Sequence, residues 1–188
     1  MWETLVKGVA IGDNADNSSR VRILPVDVYG GRATTTTFEV AEGIYQALDK
    51  GASIINLSLG SEGDTPFLRD LIQQATDSGR VIVASAGNEP VTTPMYPAAY
   101  DGVIAVTAGD QDGNIAPYAN RGEFVDVIAP GTALVPFNGQ AWRVSGTSPA
   151  AAYVTGVIAG SADAAGKTPA QVAPVTLKKL PVPRAPVR

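Results

Sequence analysis

Val144-Ser145-Gly146-Thr147-Ser148-Pro149-Ala150, running on through apolar residues to Ala159, decides how this chain folds. Asn138-Gly139 just ahead of it predicts a two-residue hairpin turn. Ala150 to Ala159 is apolar nearly all round, as expected of a helix buried inside a domain. Ser148 therefore sits at a sharp strand-to-helix turn. There a helix N-terminus favours negative charge on a reacting centre. Taken alone, Ser148 reads more simply as a helix-capping serine. As a nucleophile it would need an adjacent base, and the chain contains no histidine.

Upstream, strands alternate with helices. Val21 to Val28 reads as a strand with Pro25 an awkward member, ended by Gly30-Gly31. Phe38, Ala41, Ile44, Tyr45 and Leu48 have helical spacing, with Thr37 as the expected N-cap and Gly51 just past the end. Ala52 to Leu59 lacks strict alternation, as expected of a strand covered on both faces. Pro66 to Asp77 predicts an amphipathic helix with a proline in its first turn. Val81 to Ala84, Val103 to Val106 and Phe124 to Ile128 predict three more buried strands. The expected fold class is α/β: three layers, a mostly parallel sheet with helices on both faces.

Residues 1–165 are expected to form the domain and 166–188 a Pro-rich, basic tail or linker. Lys167 to Arg188 holds five prolines and no acidic residue. Thr168-Pro169 predicts the start of a short helix that Pro174 limits.

At 188 residues the chain is long enough for one domain with its own core, and its 45% apolar and 17% charged residues fit a globular protein. A net charge of −4 gives no electrostatic case for nucleic acid. With no cysteine there is no disulfide, thiolate metal site or cysteine nucleophile. No apolar run reaches the ~18 residues of a membrane span. Met1 to Thr4 does not read as a signal peptide. Asn17-Ser18-Ser19 is a formal glycosylation triplet of a kind common by chance. No Gly-x-Gly-x-x-Gly turn or phosphate loop points to nucleotides.

Several segments, in order, resemble the subtilisin-like serine peptidases: Ile54 to Gly60, Ala84 to Glu89, Tyr96 to Tyr100 with Val103 to Val106, Asp126 to Gly131, and Ser145 to Ser148. They span roughly residues 21–160. The resemblance implies that Ser148 attacks a peptide carbonyl and that Asn88 and the Ser148 N–H stabilise the oxyanion. It also implies that Ser58, Leu59, Gly60, Ser85, Ala86 and Gly87 line the primary specificity pocket, and that Gly30 to Thr35 lies near the edge that pairs with extended substrate. Tyr96 to Tyr100 matches a segment that often holds a cis-proline. The partner is then a protein or peptide substrate, and the location extracellular or cell-envelope. No cofactor is required; Ca2+ enters by family resemblance alone, and no metal ligands are assigned.

The departures are equally specific. The Asp motif of the family's first strand and the His-Gly-Thr motif opening its next helix are absent, while Met1 to Ala10 resembles the body of that helix. Past Ser148, the usual Met, Pro and His are replaced by Pro149, Ala152 and Tyr153. The chain thus reads as the C-terminal two-thirds of the domain, incomplete at the N-terminus and inactive alone, with the missing segment a partner. By resemblance that segment's strand lies between Val21–Val28 and Ile54–Leu59. One alternative is a non-catalytic relative that binds extended peptides. Another is a histidine-less Ser-Glu-Asp peptidase of the sedolisin type, for which Glu3 is the candidate; a plainer role for Glu3 is pairing with Lys7. A third is an unrelated doubly wound binding module.

Overall fold

Alternating side chains build the sheet. In β1 (Ile54–Leu57) and β2 (Val81–Ser85), Ile55, Leu57, Ile82 and Ala84 pack towards one face, while Val81 and Val83 pack towards the other. β3 (Val103–Gly109) and β4 (Val127–Pro130) extend the same pattern, and the four strands lie parallel in the order β1-β2-β3-β4. The computed structural model describes residues 2–11, 19–110 and 112–183. Asn17 and Ser18 of the glycosylation triplet, and the tail beyond residue 183, lie outside them.

Helices cover both faces, as a parallel sheet requires. α2 (Thr37–Asp49) and α3 (Pro66–Asp77) bury Val40, Ile44, Leu68, Leu71 and Ile72 on one side. α4 (Thr147–Ala165) and α5 (Pro169–Leu177) bury Val154, Ile158, Val172 and Ala173 on the other. The three-layer α/β reading therefore holds. α1 (Trp2–Ile11) packs against α4, where Gly156 and Gly160 allow close approach. A Cβ on Gly160 would lie 2.6 Å from the Ala10 carbonyl oxygen. The Asn138-Gly139 turn closes an antiparallel hairpin of β5 (Thr132–Phe137) and β6 (Gln140–Ser145) leading into α4. The Tyr96-Pro97 bond is cis.

Five local expectations are corrected, the last of them at the start of α2. Residues 21–28 form no strand. A ladder needs a neighbour, and this segment faces β1 across an open groove. The last sheet strand begins at Val127 rather than Phe124, because the chain is still turning at Gly122, where the Val125 N–H donates to the Gly122 carbonyl. Pro174 does not stop α5: Thr168 and Gln171 form a capping box, and Val172, Ala173 and Thr176 are buried on either side of the proline. The segment from 166 thus includes a packed helix, and the Ile128 N–H donates to the Pro181 carbonyl. Glu3 makes no ion pair with Lys7 among the described residues.

The N-cap of α2 is Thr36, not Thr37. Its hydroxyl accepts from the Glu39 N–H, and the Glu39 carboxylate accepts from the Thr36 N–H. Arg32 donates to the same carboxylate. Arg32 first, then the Thr36 backbone, holds Glu39 down to a pKa of about 2 from its ordinary 4.5. A carboxylate depressed in the folded state stabilises above its unfolded pKa, and that stability is lost as pH falls towards the folded value. We expect stability to decline between about pH 4.5 and 2. Glu39→Gln should flatten that part of a denaturant-midpoint-against-pH profile; an unchanged slope would show that Glu39 does not carry it.

Candidate active site

β1 and β2 run side by side, with Leu57 opposite Ala84, so their carboxyl ends deliver Ser58-Leu59-Gly60 and Ser85-Ala86-Gly87 to one edge of the sheet. That edge is where open α/β sheets place their ligand crevices. Ser85 and Ala86 are buried, Ser58, Leu59 and Gly87 half-buried, and Gly60 exposed. Gly60 lies against the Tyr96 carbonyl, and the next residue, Ser61, exchanges hydrogen bonds of 2.9 and 2.7 Å with Tyr96. The two triplets are thus brought together, with the cis-proline segment beside the first. Gly30 to Thr35 forms a turn and bend, pinned by Arg32 to Glu39, and no strand.

Asn88 and Ser148 come from distant segments and meet at the N-terminus of α4. The N-cap there is Gly146, with φ 150, which has no side chain to cap with. A Cβ on Gly146 would approach the Asn88 amide to 3.4 Å. The cap comes instead from the loop after β2: Asn88 Oδ1 accepts from the Thr147 N–H at 2.8 Å and from the Thr147 hydroxyl at 3.1 Å. Thr147 Oγ1 in turn accepts from the Gly87 N–H at 3.1 Å. With Oδ1 committed, Nδ2 is left as a donor with no acceptor among the described residues.

The first turn of α4 sorts its N–H groups. The Thr147 N–H is taken by Asn88, and Pro149 has none. The Ser148 N–H, at the second helical position, has no intrahelical acceptor. Among the described residues two N–H donors therefore remain free at this helix start, one from the backbone of the half-buried Ser148 and one from the Asn88 amide, whose oxygen is held on Thr147. An arrangement of this kind can stabilise charge developing on an oxygen bonded near Ser148 Oγ.

Two polar residues of α4 that the sequence left without a role make the bonds around these segments. Thr147 and Thr155 lie eight apart on one face of an otherwise apolar helix. Thr155 donates to Asn56 Oδ1 at 3.0 Å, and Asn56 Nδ2 donates to the Ser58 hydroxyl at 3.0 Å. This polar chain floors a groove of about 950 Å³ between residues 20–28 and the open edge of β1. Glu3 lines that groove and Ser148 does not. Among the described residues no three His, Cys, Asp or Glu side chains come together as a metal site. No helix among the described residues is long and apolar enough to cross a membrane.

Comparison with known proteins matches these features. The sequence model of the subtilase family covers residues 4–185. The chain is 39% identical over 146 residues to thermitase of Thermoactinomyces vulgaris, covering 76% of this chain and 52% of that protein. It is 38% identical over 164 residues to the thermophilic serine proteinase of Bacillus sp. (strain AK1), covering 83% and 41%. It thus spans about half the length of these relatives or less. Among solved structures, the prenylagaramide maturation protease PagA superposes with a TM-score of 0.67 at 29% identity, covering 75% of this chain and 56% of that one. A parallel sheet with Asn88 after one strand and Gly-Thr-Ser at a buried helix start, matched over residues 4–185 by the family's sequence model, leads to one conclusion: this chain belongs to the subtilase family of subtilisin-like serine proteases.

Proposed function

We propose that this chain supplies the nucleophile, oxyanion donors and specificity pocket of a subtilisin-like serine endopeptidase domain. The general base and its orienting carboxylate are then carried by a segment outside these 188 residues. The observation that supports the reading is the Asn88–Thr147 pairing, which holds Asn88 Oδ1 on the residue before Ser148 and leaves its Nδ2 without an acceptor among the described residues.

In this reading Ser148 Oγ attacks the peptide carbonyl carbon while its proton passes to the base. The carbonyl oxygen becomes an oxyanion held by Asn88 Nδ2 and the Ser148 N–H. Collapse breaks the C–N bond, and the base returns the proton to the leaving amine. Water then releases the acyl group from Ser148, with the base again taking and returning a proton. Ser58, Leu59, Gly60, Ser85, Ala86 and Gly87 would line the pocket for the residue ahead of the cleaved bond. The groove over Asn56 and Thr155 would seat the strand of the absent segment. An extracellular or cell-envelope location belongs to the same proposal.

With no histidine, the 188 residues alone are expected to be inactive. The sedolisin-type alternative draws no support from the position of Glu3, which lines the groove rather than the Ser148 turn. The test is hydrolysis of an extended chromogenic peptide by the chain, alone and mixed with a segment carrying the family's Asp and His-Gly-Thr motifs. We expect turnover only in the mixture. Turnover by the chain alone would contradict the external base, and a seated segment without turnover would favour the peptide-binding relative.

A further inference from the structure

Asn120 has no part in the proposed function, yet its side chain is fully buried with Nδ2 lacking any acceptor among the described residues. Such a group costs stability unless the rest of the residue does something in return. Its other polar atoms grip the loop that carries Asn88. The Asn120 N–H donates to the Gly87 carbonyl at 3.0 Å, and Asn120 Oδ1 accepts from the Glu89 N–H at 2.8 Å. These are the residues immediately before and after Asn88. Asn120 is itself anchored: the buried Thr107 hydroxyl, on β3, donates to its carbonyl at 2.5 Å.

The fit is close on the Gly87 side. Gly87 has φ 108, a conformation that side chains rarely adopt, and a Cβ there would fall 2.5 Å from Asn120 Nδ2. Gly87 is thereby held at both ends, its N–H by Thr147 and its carbonyl by Asn120. Asn88 stands between two pinned peptides, with its Oδ1 on Thr147.

We propose that Asn120 is a positioning residue for the oxyanion donor. By clamping the peptides on either side of Asn88 to the sheet, it keeps Asn88 Oδ1 on the Thr147 N–H and Nδ2 turned towards the reacting centre. The word "oxyanion" rests on the functional reading; the clamp does not.

The test is amide hydrogen exchange by NMR on the chain. In the wild type, the Glu89 and Thr147 N–H groups should both be protected. Asn120→Leu keeps a buried side chain of similar size and removes the acceptor. We expect roughly tenfold less protection at both amides, the equivalent of one ordinary hydrogen bond, with the β2–β3 ladder unchanged. Asn120→Asp, which retains an acceptor oxygen, should restore protection at Thr147. An unprotected Glu89 N–H in the wild type, or loss at Glu89 with Thr147 unchanged in Asn120→Leu, would overturn the proposal. If Asn120→Leu does not fold, Thr107→Val removes only the hydroxyl anchoring Asn120. The same paired loss is expected there, and loss at Glu89 alone or at neither amide would overturn it. None of these readouts needs turnover, so an inert Ser148 would strike the functional reading and leave this one standing.

Discussion

Asn88→Ala and Asn88→Asp, introduced into the chain complemented by the Asp- and His-bearing segment, are expected to lose activity together but to part in stability. On the proposed function, Asn88 does two jobs with two atoms. Nδ2 would bond the oxyanion, and Oδ1 caps α4 through the Thr147 N–H. Removing the donor should lower kcat by about 10²–10³, the loss known for such a donor in a subtilisin rather than one this geometry fixes. KM should change little, because the bond strengthens only as charge develops. Alanine also removes the cap, worth about 1 kcal/mol, or roughly 2–4 °C in Tm for a chain of this size. Aspartate keeps the acceptor and offers a negative charge to the helix N-terminus, so Tm should hold while kcat falls at least as far. Kinetics and melting curves of the two variants check this. Equal kcat in wild type and Asn88→Asp would remove Asn88 from the oxyanion site.

The second large effect concerns the groove beside β1. Among the described residues β1 forms a ladder only with β2, so its other edge faces residues 20–28 across about 950 Å³. Arg20 ties that segment to Asp163 through its backbone N–H and guanidinium. Val28 seats against Gly43 of α2, where a Cβ would lie 2.4 Å from Val28 Cγ1. The far wall is thus fixed while the space between stays open. A strand entering there would satisfy the open edge of β1. At one hundred times its Kd, such a segment stabilises the chain by about 2.7 kcal/mol, or roughly 5–11 °C in Tm. Hydrogen exchange should show new protection along residues 54–57 and 21–28. Full protection of both stretches before any segment is added would contradict the open edge.

The fold was legible because the two hydrophobic periods are clean where packing is two-sided. Ile82 and Ala84 against Val81 and Val83 read as a buried strand, and α3 runs over the span that Pro66 and its apolar spacing predict. Readings failed where a partner or a neighbour decides. Residues 21–28 have strand-like composition but no ladder to join. Pro174 breaks a helix in isolation, whereas here burial of Val172, Ala173 and Thr176 carries α5 through it. Thr36 rather than Thr37 caps α2 because Glu39 stands three residues after Thr36, a spacing visible in the chain.

At the site, the sequence pointed to the segments and not to their bonds. Ser148 and Asn88 are named by their flanking motifs, but the 2.8 Å cap that ties Asn88 to Thr147, the residue before Ser148, spans 59 positions. Asn120, 32 residues beyond Asn88, shows nothing local that sets it apart from an ordinary turn asparagine. The Asn56–Thr155 pair joins positions 99 apart and left a trace only as polar residues in apolar elements.

The most direct measurement is intact-mass analysis of the complemented chain after reaction with a fluorophosphonate, wild type beside Ser148→Ala. A single adduct on Ser148, formed only with the segment present and absent from Ser148→Ala, is the predicted result. An adduct that survives Ser148→Ala, or no adduct while exchange shows the segment seated, would contradict the assignment of Ser148 as the nucleophile.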